Sequence, residues 1–465
     1  MNSPLGKPLA CVPAVLAVVL SISAASGFAT PNVPAPAQSK SLLVTGATLH
    51  TVSGAAIVNG RMLVKDGRIA AISGPEGNID ASGANVLSLP GKHIYPGFVA
   101  ANTVMGLTEV SAVRATNDFA EVGSVNPNVR ALVAVNADSE LITVARANGV
   151  LAALSVPQAG VAGLITGTSA LLQLDGWNWE EMSLDPAVAL HISLPSMRFN
   201  AELFPPPLDS RLVELKKQTA LRLKTLDEAF DNAAAYLKAR KAAPANEPTK
   251  IDTRLEAMVP VLEGKRPVFV AADEVAQIRY ALGLAERHNL RLVIVGGEDA
   301  ALLANVLRER RVPVIIGGIH RLPKRRGDNY DAPFTLAAKL AEAGVTFCIA
   351  RGSSGFDAAH ERNLPYEAAT AAAFGLDRNE ALKAITLYPA QILGVADKLG
   401  SLDVGKLGSF FVADGDPLEA TTKIERAFIQ GREIDLANRQ TQLNEKYREK
   451  YRRQAAQSGA VSKTK

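Results

Sequence analysis

Hydrophobic and polar positions fall into distinct regimes along the chain. From Ser41 the apolar residues come in short strand-like pieces, SLLVTGATLHTV and then AAIVNGRMLVKDGRIAAIS, punctuated by Asn59-Gly60 and Asp66-Gly67. An Asx-Gly pair between alternating apolar runs is a hairpin signal, because both turn residues must adopt positive φ. A small all-β unit is therefore predicted over 41–93. From Ile94 to Ile392 the texture changes. Runs that are apolar on both faces (HIYPGFVAAN, GVLAALSVP, AVALHISLP, RPVFVAAD, LRLVIVGG, VPVIIGGIH, VTFCIARGS) alternate with helical stretches such as 274–287 and 300–310. Strands apolar on both faces need cover on both sides, which argues for a buried parallel sheet. Seven or eight such units over about 300 residues predict an α/β fold, a (β/α)8 TIM barrel. An open doubly wound sheet is the rival, weakened because no dinucleotide-type glycine fingerprint follows the first strand. Residues 208–262 are charged, helix-forming and punctuated by Pro244 and Pro248, so they read as a helical insertion. The β character returns over 393–436, and the two β-rich flanks are predicted to join as one composite β-sandwich. In the charged tail, 437–465, Tyr447 and Tyr451 lie one helical turn apart, which reads as a solvated amphipathic helix.

The first residues form a different pattern. A short polar start with Lys7 precedes an apolar run, Leu9–Ala25, broken by Pro13 and followed by small residues to Ala29. That order is the pattern of a cleaved signal peptide, assigned here to 1–29, and the run is too interrupted for a spanning helix. An uncleaved N-terminal anchor is the alternative. The Pro-rich segment 30–40 reads as an extended, disordered linker. The expected location is periplasmic or secreted, with no membrane contact after cleavage.

Charge and cysteine content exclude several classes. Fifty Lys and Arg against 46 Asp and Glu give a net charge of +4 over 465 residues, too weak a field to indicate a nucleic-acid partner. The two cysteines, Cys11 and Cys348, support neither a disulfide scaffold nor a zinc ribbon, and cleavage would leave Cys348 alone.

Three phrases carry a resemblance to a known family. They are Tyr95-Pro96-Gly97-Phe98 on the first barrel strand, Leu387-Tyr388-Pro389-Ala390-Gln391-Ile392-Leu393-Gly394, and Gly400-Ser401-Leu402-Asp403-Val404-Gly405-Lys406. In this order the chain resembles the metal-dependent amidohydrolases, in the branch with imidazolonepropionase and prolidase-type dipeptidases, from about Ser41 to Ile434. The resemblance implies a (β/α)8 barrel with a composite β-sandwich. It also implies hydrolysis by one or two divalent ions, which lower the pKa of a bound water and polarise a carbonyl. The implied ligands are a His-x-His pair on strand 1, one His each on strands 5 and 6, and an Asp on strand 8.

This sequence departs from that pattern at each position. Asn102 and Val104 stand where the His-x-His pair belongs, Ala271 and Gly296 replace the histidines of strands 5 and 6, and Gly352 lies near the aspartate position. These are vestigial metal-ligand positions, so no metal is expected; zinc or another divalent ion is the alternative if the protein is active. None of the six histidines restores a closely spaced pair. His191 sits in an apolar strand and reads as a core residue, whereas His320 ends a strand, where barrel sites gather. A candidate pocket of Asn102, Asp273, His320 and Arg351 follows, with Thr166 and Glu298 able to approach the same mouth. The cations Lys324-Arg325-Arg326 read either as an anion-recognising loop or as a solvated one. Trp177 and Trp179 fit a pocket wall, an interface or simple rim packing.

Three functions compete. The first is a pseudoenzyme, an exported amidohydrolase-like barrel acting as a non-catalytic binding or assembly subunit. The second is an active hydrolase of carbon–nitrogen bonds using atypical ligands. The third is a periplasmic solute-binding barrel with a small-molecule ligand. The expected partner is a second copy, or a catalytically intact relative in a heterodimer, with the β-sandwich, the 208–262 insertion and the Trp177–Trp179 loop as contact surfaces.

Overall fold

The computed structural model describes residues 33–160, 162–199, 208–244 and 250–462. The signal-peptide assignment lies outside the described residues. Among the described residues, eighteen strands form three sheets. The flanks build the first, from β1 (Leu42–Leu49), β2 (Ile57–Lys65), β3 (Arg68–Ser73), β4 (Asn85–Ser88) and β5 (His93–Pro96). A second group of strands makes the wall of a TIM-barrel-like α/β layer: β6 (Phe98–Thr103), β7 (Val150–Ser155), β8 (Ile165–Thr168), β9 (Ala170–Gln173), β10 (Ser183–Asp185), β11 (Leu190–Ser193), β12 (Val268–Ala272), β13 (Leu292–Gly296), β14 (Val314–Gly317) and β15 (Phe347–Ala350). The chain then returns to the first sheet with β16 (Phe410–Ala413), β17 (Ile424–Ile429) and β18 (Arg432–Ile434).

The two flanks share one eight-stranded sheet in the order β18-β17-β16-β5-β1-β2-β3, with β4 beside β1. The joint is antiparallel pairing of β16 with β5, Phe410 opposite Pro96 and Ala413 opposite His93. Its core is Val44, Leu49, Met62, Ile94, Phe410 and Phe428, and the last two rings stack at 4.6 Å. Asp66-Gly67 makes the expected turn between β2 and β3, with φ of 50° and 73°. Asn59-Gly60 does not turn the chain. It lies inside β2 at an irregular register, with Asn59 at φ 52°, and the β1–β2 connection is His50–Ala56 instead. The reason is packing: a Cβ at Gly60 would lie 2.7 Å from Leu49, so glycine is needed for a bulge there, not for a turn.

The wall consists of a four-stranded sheet, β10-β9-β7-β6, and a six-stranded sheet, β15-β14-β13-β12-β11-β8. Strands β11 to β15 run parallel, as do β6 and β7. The segment between them departs from the expected all-parallel pattern. β8 is antiparallel to β11 and β9 antiparallel to β7, so 165–173 runs against both neighbours. The physical cause is the short loop after β7, which has no helix to carry the chain back for a parallel return. At the other seam β15 lies alongside β6, and Ala384–Ile385 bridges them: Ile349 N donates to Ala384 O and Val99 N to Ile385 O, both at 2.9 Å. Alternate residues of the wall, including Val99, Ala101, Leu154, Phe269, Val295, Ile315 and Cys348, form one apolar cluster that fills the interior.

The segment read as a disordered linker is docked from Val33 onward. The Gln38 side chain donates to Val64 O (3.0 Å) and accepts from Gly67 N (2.9 Å), while Arg432 donates to Ala35 O (2.9 Å). Two cations meet at Asp175: Arg146 at 3.3 Å and Arg432 at 3.0 Å, with Asp175 and Arg146 almost fully buried. This group joins barrel, end sheet and linker. A short Pro-rich segment gained order because the fold presented backbone partners along its path. The insertion carries two helices, Leu208–Ala242 and Thr253–Leu262, the first anchored by fully buried Leu226, Phe230 and Ala233. The tail forms a helix, Arg439–Ser462, exposed along most of its described side chains. No helix among the described residues is long and apolar enough to cross a membrane.

Candidate active-site region at the barrel mouth

The C-terminal ends of the wall strands hold the residues singled out in the sequence, but in two separate clusters. The first centres on Glu367, 1% exposed, on the helix Leu364–Ala373. Its Oε1 takes the Arg351 guanidinium at 2.5 Å and His320 Nδ1 at 3.2 Å. Its Oε2 accepts the backbone N–H groups of Ile319 (2.5 Å) and His320 (2.8 Å), and His320 Nε2 meets Thr370 Oγ1 at 2.7 Å. Arg351 and His320 are thus brought together, as the sequence suggested, by a carboxylate that it did not. The available signal was a lone Glu inside an otherwise apolar, alanine-rich helix.

Asp273 belongs to the second cluster. Lys324 Nζ lies 3.1 Å from Asp273 and 2.9 Å from Glu298, and Arg321 reaches Glu298 at 3.1 Å. Arg325 pairs with Asp299, which also faces Arg198 at 3.7 Å. Burial raises the Glu298 carboxyl above its ordinary range and the Asp273 charge adds to this, against Lys324 and Arg321. Burial alone would lower Lys324, but its bonds to Glu298 and the Asp273 charge raise it overall. Two of the three consecutive cations are therefore consumed by internal carboxylates, leaving Arg326 exposed. The loop 318–328 is a strap across the strand ends, pinned by Glu367 on one side and by Asp273, Glu298 and Asp299 on the other.

At the five positions where the resemblance implies metal ligands, the side chains offer one amide and no imidazole or carboxylate. Asn102 is buried near the end of β6, where the ladder to β7 slips by a residue between Ala100 and Thr103. Val104 is fully buried among apolar residues. Ala271 shares the interior parity of Phe269, yet it is exposed in an otherwise buried strand, so it opens into the mouth. Gly296 has φ +91°, and a Cβ there would fall 2.2 Å from Asp273 Oδ1. The Asp273 carboxylate thus fills the direction a side chain at 296 would take. Gly352 is likewise left-handed, with the Asp357 carboxylate 2.6 Å from where its Cβ would be. A divalent-ion site needs imidazole or carboxylate donors converging on one point. An amide at 102, apolar side chains at 104 and 271 and glycines at 296 and 352 do not supply that donor set, so the residues at these positions do not fit the family's metal.

Thr166 and His191 do not join either cluster. Thr166 Oγ1 donates to Pro157 O at 3.0 Å, and His191 packs edge-on to Phe269, where burial lowers it to about 3. Ser354 caps a short helix, accepting from Asp357 N, as expected of a structural serine. Trp177 is 66% exposed and Trp179 packs against the core, so the two tryptophans differ in role. Sequence reasoning missed Glu361 altogether. It is 1% exposed, and neither carboxylate oxygen makes a hydrogen bond of ordinary geometry, nor does the Thr103 hydroxyl beside it. Burial pushes Glu361 up to about 8, against the favourable influence of Thr103 and Arg351.

Comparison with known proteins agrees with this architecture. Residues 282–432 match the amidohydrolase family. An amidohydrolase of Thermotoga maritima is 26% identical, with a TM-score of 0.74 over 85% of this chain and 99% of that one. A prolidase complexed with N-methylphosphonate-L-proline is 15% identical over 85% and 99%, with a TM-score of 0.50, a likeness of fold only. No curated protein matches the chain. Over residues 282–432 the chain is thus similar to the amidohydrolase family, and with the Thermotoga protein it shares a TIM-barrel-like α/β fold.

Proposed function

We propose that this protein is an exported amidohydrolase-fold subunit that works by binding or assembly, not by metal-assisted hydrolysis. The observation that carries the reading is at Gly296 and Asp273, where a carboxylate already engaged by Lys324 occupies the place of a metal-binding side chain. Asn102, Val104, Ala271 and Gly352 support it, since none is an adequate ligand for zinc. In finer architecture we read the two wall sheets as a (β/α)8 barrel completed at the β15–β6 seam, and the end sheet as curling into a composite β-sandwich. The 1–29 leader supports a periplasmic or secreted location.

The test is metal loading of the purified mature protein. Titration with Zn²⁺, Mn²⁺ or Co²⁺ is expected to produce no hydrolysis of X-Pro dipeptides or cyclic amides above the blank. A metal-dependent turnover that disappears on substitution of Asp273 would instate the hydrolase with atypical ligands.

Assembly is expected as a homodimer, or as a heterodimer with an intact relative. Exposed Trp177 and the groove of about 670 Å³ between the insertion helices, lined by Ala229, Tyr236, Leu255 and Met258, support that reading. A stable contact buries at least about 1,000 Å² and is anchored by a few aromatics. Trp177→Ala should weaken association at least tenfold, leaving thermal unfolding nearly unchanged. Light scattering at micromolar concentration checks it, and monomers alone and in mixture would move the reading to solute binding.

A further inference from the structure

A pair of histidines far apart in sequence meets at the end sheet, away from the wall strands: His93 opens β5 and His50 directly follows β1. β1 runs parallel to β5 with Thr48 opposite His93 and Leu49 opposite Ile94, and His50 N donates to Ile94 O at 2.9 Å. That register sets His50 beside Tyr95, whose ring stacks on it at 4.1 Å and 8°. His93, two residues before Tyr95, therefore shares the same face. The outcome is His50 Nε2 at 2.9 Å from His93 Nδ1.

Four further features mark the place. His50 lines a cavity of about 340 Å³ with Thr51, Ser53, Asn379 and Lys383. Val52, on the same loop, holds φ at 69°. For a β-branched residue this is an outlying conformation, and such strain gathers at ligand sites. The surrounding charges are balanced: Lys383 pairs with Glu380 at 2.9 Å and Arg378 with Asp416 at 2.6 Å. Burial and His93 hold His50 down at about 4, against the charge of Asp416, so His50 is unprotonated at neutral pH.

We propose that His50 and His93 form a binding site for one divalent transition-metal ion of the imidazole-preferring class, Cu²⁺ above Ni²⁺ and Zn²⁺. The chemistry requires neutral imidazoles with lone pairs aimed at one point. The proton now shared between the rings moves to the distal nitrogen of its own ring, so both facing nitrogens coordinate without any change of net charge. Metal–nitrogen bonds of about 2.0–2.1 Å set two adjacent ligands of a square-planar Cu²⁺ about 2.8–3.0 Å apart, close to the 2.9 Å between the facing nitrogens, so the rings need to turn until both lone pairs converge on the ion rather than move apart. Water from the cavity that His50 lines fills the remaining positions.

The test uses the full mature chain without any added histidine tag. Cu²⁺ titration is expected to give one equivalent bound, with weaker Zn²⁺ binding and none of Mg²⁺. Each of His50→Ala and His93→Ala should lower Cu²⁺ affinity at least about tenfold, a loss of about 1.4 kcal/mol; His360→Ala should leave it unchanged. Electron paramagnetic resonance of the wild-type copper complex should show coupling to two imidazole nitrogens, which keeps the question decidable if a variant fails to fold. Equal affinity in the His50→Ala/His93→Ala double variant, or a copper spectrum without imidazole nitrogen, overturns the proposal.

Discussion

Glu367→Ala should cost about 3–5 kcal/mol of folding stability, the loss typical of removing one partner from a buried ion pair. Glu367 is nearly inaccessible and receives four donors: the Arg351 side chain, His320 Nδ1 and the backbone N–H groups of Ile319 and His320. Truncation leaves a guanidinium only 11% exposed without its carboxylate, and two amides without an acceptor. Glu367→Gln keeps the shape but turns one accepting oxygen into a donor facing other donors, so it should recover only part of the loss. Hydrogen exchange at the amides of Ile319 and His320 should rise in both variants, because the strap 318–328 loses its inner anchor while keeping the outer one at Lys324 and Arg325. The measurements are denaturant unfolding and amide exchange. A loss below about 1 kcal/mol with unchanged exchange would show that the strap is held elsewhere.

Glu361 should make the protein less stable as pH rises, by up to about 4–5 kcal/mol, because each tenfold difference in proton affinity between the folded and unfolded chains is worth about 1.36 kcal/mol. Its carboxyl is raised from 4.5 to about 8 by burial. Below pH 4.5 both folded and unfolded chains hold the proton, and the group carries no penalty. Between pH 4.5 and about 8 the unfolded chain has released the proton while the folded chain retains it, so stability falls with pH. Above about 8 the penalty is complete and constant. Glu361→Gln removes this dependence whatever its own constant cost as a buried amide. The quantity to compare is therefore the slope of unfolding free energy against pH. Parallel slopes for wild type and variant between about pH 5 and 8 would mean that the carboxylate finds a partner, such as water beside Thr103.

Local chemistry made several elements legible. Asp66-Gly67 turned where its φ preference required, since a two-residue connection depends on its own dihedrals and little else. The doubly apolar runs became wall strands because nothing but a two-sided core can bury them. The absence of imidazole at 102, 104, 271 and 296 was likewise visible, because ligand chemistry is a property of residue type.

Other features depended on partners remote in the chain. Asn59-Gly60 has the composition of a turn, but Leu49 across the sheet makes it a bulge. The reversed direction of 165–173 follows from connection length and pairing, which apolar pattern does not encode because it is the same for parallel and antiparallel strands. The candidate pocket divided in two because Lys324 draws Asp273 to one side while Glu367 draws Arg351 and His320 to the other, and such ion pairing is decided by distances of a few ångströms. Glu361 looked like any surface glutamate until packing removed its water. His50 and His93, separated by 43 positions, became neighbours through one parallel register. Residue type thus settled which groups are chemically available, whereas burial and long-range pairing settled which of them meet, because desolvation and Coulomb attraction depend on position in space and not on position in the chain.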